Sequence, residues 1–171
     1  MTTLLLVVAA VAAIGALTMG RQTKTQVGLT QEDLLWLARA LMGETEGSSD
    51  RAMAAVAWAM FQRWQQKSRG KTFTQLLRAY CQPINPEYAT LAGRGCRAHP
   101  EMCTVAHLER RRRISTMTWE QLPNVVRDLV ERFGRGEVPN PVPGMVDFAA
   151  FSFPGERVVI DGNHFGTKVR S

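Results

Sequence analysis

Leu37-Ala38-Arg39-Ala40-Leu41-Met42-Gly43-Glu44-Thr45-Glu46-Gly47 is the stretch around which the rest of this chain is organised. Leu34, Leu37, Ala38 and Leu41 recur at helical spacing, and the helix they predict runs straight into a carboxylate flanked by Gly43 and Gly47. Upstream, Thr30 and Asp33 make a Thr-x-x-Asp start of the capping-box kind. Glycines beside Glu44 leave room for a bulky molecule to approach, and a packed helix behind it limits hydration. A carboxyl group in such a place tends to keep its proton to higher pH, which suits a general acid. A helix-ending Glu in solvent produces the same local pattern, so spacing alone leaves both readings open.

Ser48-Ser49-Asp50 caps a second helix over residues 52–64, on which Met53, Val56, Ala57, Met60 and Trp64 form one apolar stripe. Core packing explains that stripe without any chemistry. Residues 74–80 predict a shorter helix. From residue 81 to 103 the composition shifts to Pro, Gly, Asn and Arg, and two prolines in Gln82-Pro83-Ile84-Asn85-Pro86-Glu87-Tyr88 forbid a regular helix. Long loops in compact domains are usually functional or disordered. Glu109 followed by Arg110 to Arg113 lies at the start of a helical stretch, and reads as a solvated face or as a contact for anionic glycan or phosphate. Thr118 and Gln121 predict a capping box opening the next helix, which carries Leu122, Val126, Leu129, Val130 and Phe133 inward and stops at Gly134 or Gly136. Pro139, Pro141 and Pro143 make an extended connection. Residues 146–153 and 157–161 read as two strands joined through Pro154-Gly155, and Asp161-Gly162-Asn163-His164-Phe165 as a turn with an aromatic end. The expected class is α+β, mainly helical, with a short C-terminal β-hairpin.

The 171 residues fit one domain, and 45% hydrophobic against 21% charged residues is a globular balance. A net charge of +6 favours an acidic partner: nucleic acid, anionic lipid or the anionic polymers of a bacterial wall. No zinc-finger spacing or glycine-rich phosphate loop is present, so a nucleic-acid reading lacks a module and no nucleic-acid partner is expected. Cys81, Cys96 and Cys103 form no Cys-x-x-Cys pair, and with only His99 and His107 nearby no metal site or cofactor is expected. Either Cys96 and Cys103 close a short loop in an oxidising compartment, leaving Cys81 free, or all three are buried thiols.

Residues 2–19 carry no charge and, at 1.5 Å per residue, are about long enough to cross a hydrocarbon core. The expected organisation is a transmembrane segment or anchor over 1–20, a polar linker over 21–29 and a functional domain over 30–171. Arg21 and Lys24 follow the apolar run, which by the positive-inside tendency favours a cytoplasmic C-terminal part. Two charges leave the orientation open.

Taken together, these pieces resemble the cell wall hydrolase family typified by the spore cortex-lytic enzymes. The residues that carry the resemblance are Leu37-Ala38-Arg39, Glu44, Gly47, Ala55-Val56-Ala57 and Arg63, then Phe73 and Gln82-Pro83, then Phe148, Phe151, Phe153 and Gly162-Asn163-His164-Phe165. They span roughly residues 31–166, and their order and spacing count for more than any one motif. Two departures stand out: Ile84-Asn85-Pro86-Glu87-Tyr88 where the family often has Gln-Phe-Ser, and the insert from Gly93 to Cys103.

The resemblance implies a small lysozyme-like fold that cuts the glycan strands of peptidoglycan, with Glu44 as the catalytic acid. Gln82, Asn85, Tyr88, Asn163 and His164 are the candidate substrate contacts, residues 82–88 bordering the cleft and Tyr88 offering a stacking face. A lytic transglycosylase needs only one carboxyl group, because the muramyl C6 hydroxyl attacks in place of water. A hydrolase wants a second carboxylate, for which Glu46, Asp50, Glu87, Asp147 and Asp161 are available. The transglycosylase is the favoured reading, in a phage lysis or virion-entry setting, with the domain anchored through residues 2–19, facing the periplasm or wall or carried on a virion. Virion or envelope proteins are then possible partners. The alternatives are a non-catalytic, membrane-tethered wall-binding or virion protein, and a basic nucleic-acid binder using Arg110 to Arg113.

Overall fold

The computed structural model describes residues 27–45 and 48–168. The transmembrane expectation for residues 1–20 falls outside them, as do Glu46 and Gly47. No helix among the described residues is long and apolar enough to cross a membrane. Val27 and Leu29, placed in the linker on sequence grounds, pack against the core, and the Val27 N–H donates to the Gly134 carbonyl (3.2 Å). The folded unit thus includes at least part of the expected linker.

Six helices and three strands are present among the described residues: α1 Gln31–Glu44, α2 Asp50–Lys67, α3 Phe73–Tyr80, α4 Arg94–Ala98, α5 Val105–Thr116, α6 Asn124–Gly134, β1 Asp147–Ala149, β2 Glu156–Ile160 and β3 Asn163–Gly166. The class is α+β and mainly helical, as the periodicities predict.

The capping box at α1 forms as expected: the Thr30 hydroxyl accepts from the Asp33 N–H, and the Asp33 carboxylate accepts from the Thr30 N–H, both at 3.1 Å. The other Asp33 oxygen accepts from the N–H and hydroxyl of Thr74 (3.0 and 2.8 Å), tying the start of α1 to the start of α3. Burial pushes this carboxyl up, but the hydrogen bonds from Thr30 and Thr74 pull harder the other way and hold it below the ordinary range.

Helix α2 is more deeply placed than a single stripe requires. From Ala52 to Arg63 every residue except Trp58 is buried, which is the pattern of a helix with neighbours all round. Its alanines let α1, α6 and the sheet approach closely. Phe61 makes edge-on ring contacts with Trp58, Phe73 and Phe133 at 5.8, 6.0 and 5.8 Å between centroids. Each such pair adds about 0.5–1.5 kcal/mol beyond area burial. Gln62, though buried, is fully engaged. Its Nε2 donates to the carbonyls of Val142 (3.0 Å) and Met145 (2.8 Å), and its Oε1 accepts from Asn140 Nδ2 (3.2 Å) and the Gly144 N–H (2.6 Å). The proline-rich connection is therefore strapped to α2 by one amide.

Three expectations need correction. Thr118 and Gln121 do form a capping box, but it opens a 3-10 turn at Trp119–Gln121; Pro123 interrupts, and α6 starts at Asn124. Residues 81–103 are built from short turns rather than open loop: 3-10 turns at Gln82–Ile84, Pro86–Tyr88 and Pro100–Met102, together with α4. A Cys96–Cys103 disulfide closes this region, and Cys81 is a buried free thiol. Finally, the sheet has three antiparallel strands in the order β1-β3-β2, so residues 146–153 and 157–161 are not hairpin partners. The hairpin joins β2 to β3 through Asp161-Gly162, both with positive φ (49° and 76°). That is the two-residue connection Asp-Gly favours, since its backbone twist matches the strands it joins.

Candidate active site

Glu44 is the last residue of α1, and its placement is secured from several sides. Thr45 turns back on the helix, its N–H and hydroxyl both donating to the Leu41 carbonyl (2.9 and 2.7 Å). Arg110 Nη2 donates to the Gly43 carbonyl (3.2 Å), satisfying a carbonyl at the helix end. Gly43 itself serves a purpose different from the one its sequence position suggests. A Cβ there would lie 2.1 Å from Pro83 Cβ, so the missing side chain makes room for the Gln82-Pro83 turn rather than for a substrate. That contact brings Gln82 beside Glu44.

The half-buried Glu44 faces a cleft of about 690 Å³, within the range of clefts that take small ligands. Gln82 and Met102 form one wall, Arg63 and Tyr80 another, and Asp147 to Phe151 with Asn163 bring the sheet to the third. Arg63 sits on α2 one turn beyond Met60, on the same buried face. Its Nη1 donates to Asp147 Oδ1 (3.2 Å), and its guanidinium carbon lies 3.6 Å from the Tyr80 ring centroid. Its Nε is buried with no hydrogen-bond partner among the described residues. The Asp147 oxygen also accepts from the Phe148 N–H (3.0 Å). Asp147, Arg63 and Tyr80 thus form a stack running from the sheet to the cleft surface, where Tyr80 is 52% exposed. Phe151, at 62%, is a second exposed aromatic on the cleft. Burial pushes the Cys81 thiol well up; the Glu44 charge adds to this and the Arg63 charge opposes it.

Of the candidate residues, Glu44, Gln82 and Asn163 line this one cleft. Asn85, Tyr88 and His164 lie elsewhere. Asn85 caps a turn, its Nδ2 donating to the Ala79 carbonyl and its Oδ1 accepting from the Glu87 N–H, both at 2.9 Å. Tyr88 packs on Gly95, where a Cβ would meet the ring at 2.6 Å, and beneath the Arg111 guanidinium (5.2 Å). His164 pairs its Nδ1 with Glu156 Oε2 (2.7 Å), its side chain alternating to the other side of β3 from Asn163.

The arginine run lies well inside α5, not at its start. Arg111 is buried and donates to the Tyr88 carbonyl (3.3 Å), and Arg110 holds the α1 end. Two of the four arginines are therefore parts of the fold. Among the described residues no cluster of three or more His, Cys, Asp or Glu could hold a metal.

Tyr80 and Met102 carry no sequence signal for the cleft, and Arg63 and Asp147, one part of the resemblance and the other a spare carboxylate by sequence, meet there as an ion pair. A signal existed for Arg63: a charged residue following Val56 and Met60 on a buried stripe requires a partner acid. No protein-family model matches the chain, and no curated protein or solved structure matches it either.

Proposed function

We propose that this protein cleaves the glycan strands of peptidoglycan, with a lysozyme-like domain in which Glu44 is general acid and then general base. The carrying observation is the position of Glu44: a carboxyl group fixed at a helix end, half-buried, in a cleft whose other walls offer amides and two exposed aromatic faces. Such faces suit the C–H surfaces of sugar rings, and Gln82 and Asn163 supply hydrogen bonds to hydroxyl and acetamido groups. The negative end of the helix dipole lies beside Glu44, an arrangement that suits a proton donor.

In the reaction Glu44 gives its proton to the bridging oxygen as the C1–O bond breaks. The C6 hydroxyl oxygen of the same muramyl residue then bonds to C1, its proton passing to the Glu44 carboxylate, and no water is consumed. Asp147 supports this transglycosylase course over hydrolysis. Among the described residues it is the other carboxylate lining the cleft, and it is buried and occupied in holding Arg63. The Cys96–Cys103 disulfide favours an oxidising location, outside the cytoplasm, over the orientation the early charges suggest.

The test is mass analysis of products from purified peptidoglycan. Anhydro-muramyl ends are expected from the wild type, and reducing ends, heavier by one water, would reassign it as a hydrolase. Glu44→Gln should lower the rate by about 10²–10⁴ while the protein stays folded. A folded wild type that releases no fragments from several wall types would leave a wall-binding protein as the better reading.

A further inference from the structure

Tyr80 belongs to two hollows. Besides the Glu44 cleft it lines a neighbouring one of about 550 Å³ formed by the end of α2 and the turn that follows. Lys67, Arg69 and Lys71 all lie on that second hollow, and no acidic residue lines it among the described residues. The turn is well braced: Ser68 N–H donates to the Trp64 carbonyl (3.1 Å), Lys71 N–H to the Ser68 carbonyl (3.1 Å), and Trp64 Nε1 to the Lys71 carbonyl (2.8 Å). Arg69 and Gly70, both at positive φ (46° and 84°), carry the chain through it. Three cations are thereby presented around one concavity whose far wall is the edge of the glycan cleft.

We propose that this basic hollow receives the carboxylates of the stem peptide that peptidoglycan carries on its muramyl sugars, so that strands bearing stems are cleaved in preference to bare strands. The inference rests on the glycan-cleaving reading of the Glu44 cleft. A sugar ring against Tyr80 places whatever branches from that ring next to the hollow. On a muramyl residue the branch is a lactyl ether leading into an acidic peptide, which spans roughly 13 Å over four residues. Opposite charge at this position lowers KM without adding a chemical group to the reaction. The preference should weaken with salt, because exposed charges are screened beyond about 8 Å at physiological ionic strength.

The experiment compares kcat/KM of the full chain on peptidoglycan strands with stems intact and on strands stripped of peptide by an amidase. Exposed ion pairs are each worth about a factor of two, so a wild-type preference of roughly eightfold is expected for three cations. The triple variant K67Q/R69Q/K71Q should bring that ratio close to one with little change in melting temperature, and a free muramyl tetrapeptide should compete with stem-bearing strands. Equal rates on both strands for the wild type would overturn the stem site and leave the glycan reading intact. Cleavage of neither would overturn both. A triple variant that keeps the preference, or competition by a soluble phosphodiester polymer but not by muramyl tetrapeptide, would also overturn it, the latter in favour of a phosphate-binding surface.

Discussion

Replacing Gly43 by alanine sets two effects of opposite sign against each other. Alanine is the better helix former by at most about 1 kcal/mol, and position 43 lies inside α1. Against that, the new Cβ would sit 2.1 Å from Pro83 Cβ and 2.5 Å from its Cγ. Neither atom is the tip of a flexible chain, so restoring ordinary contact of about 3.5 Å requires a backbone shift of roughly 1–2 Å. Overpacking of this kind costs about 1–3 kcal/mol. The net loss is about 0–2 kcal/mol, or up to about 8 °C in Tm for a domain of this size. The larger effect falls on activity. The shift displaces Gln82 or Glu44, and misplacement by about 1 Å of a positioned group costs on the order of 10²-fold. Release of soluble glycan fragments and thermal unfolding, measured on one preparation of G43A, separate the two. A variant stabilised by the full helix-propensity gain, with undiminished activity, would show that Pro83 does not rest on the helix end and does not help to place Glu44.

Asp33 should carry part of the acid sensitivity of the fold. Its carboxyl is held below the ordinary aspartate range in the folded chain by the hydrogen bonds from Thr30 and Thr74, so its contribution is present above that range and is lost as pH falls through the lowered value. D33N should lose about 1–3 kcal/mol at neutral pH and flatten the acid limb of a stability–pH curve; an unchanged limb would remove Asp33 from that role. Q62L should cost about 1–3 kcal/mol, because it leaves the Met145 carbonyl without its Gln62 donor and the Gly144 N–H without its Gln62 acceptor. Denaturant unfolding measures this, and a neutral result would mean that the connection finds other partners.

The helices were legible because each carries its own punctuation. Thr30 with Asp33, Ser49 ahead of α2 and the hydrophobic spacing of α6 are all local, and local signals survive in a single sequence. The strands were harder. Pro154-Gly155 is a genuine turn, with Gly155 at φ 95°, but β3 inserts between the two strands it connects. The stronger hairpin signal is Asp161-Gly162, but the strand after it is only four residues long and so leaves little alternation to recognise. Within the candidate site, the periodicity of α1 reports that Glu44 ends a helix, whereas its proposed role rests on the resemblance and not on that spacing. Arg63 and Asp147 lie 84 residues apart, and no periodicity within one segment reports such a pair.

The strap between α2 and the proline-rich connection also bears on the order in which the molecule assembles. Trp58 Nε1 donates to the Val138 carbonyl (3.2 Å), Gln62 holds residues 140–145 and Arg63 holds Asp147, across separations of 78 to 84 residues. Contacts so remote in sequence form late, after the closure entropy of a long loop has been overcome. The helices that carry Glu44 and Arg63 can consolidate from nearer contacts, whereas the sheet wall of the cleft must wait for α2 to be in place. A chain folded only that far would hold Glu44 in an open trough, and the cleft would close around it only when the sheet docks on α2.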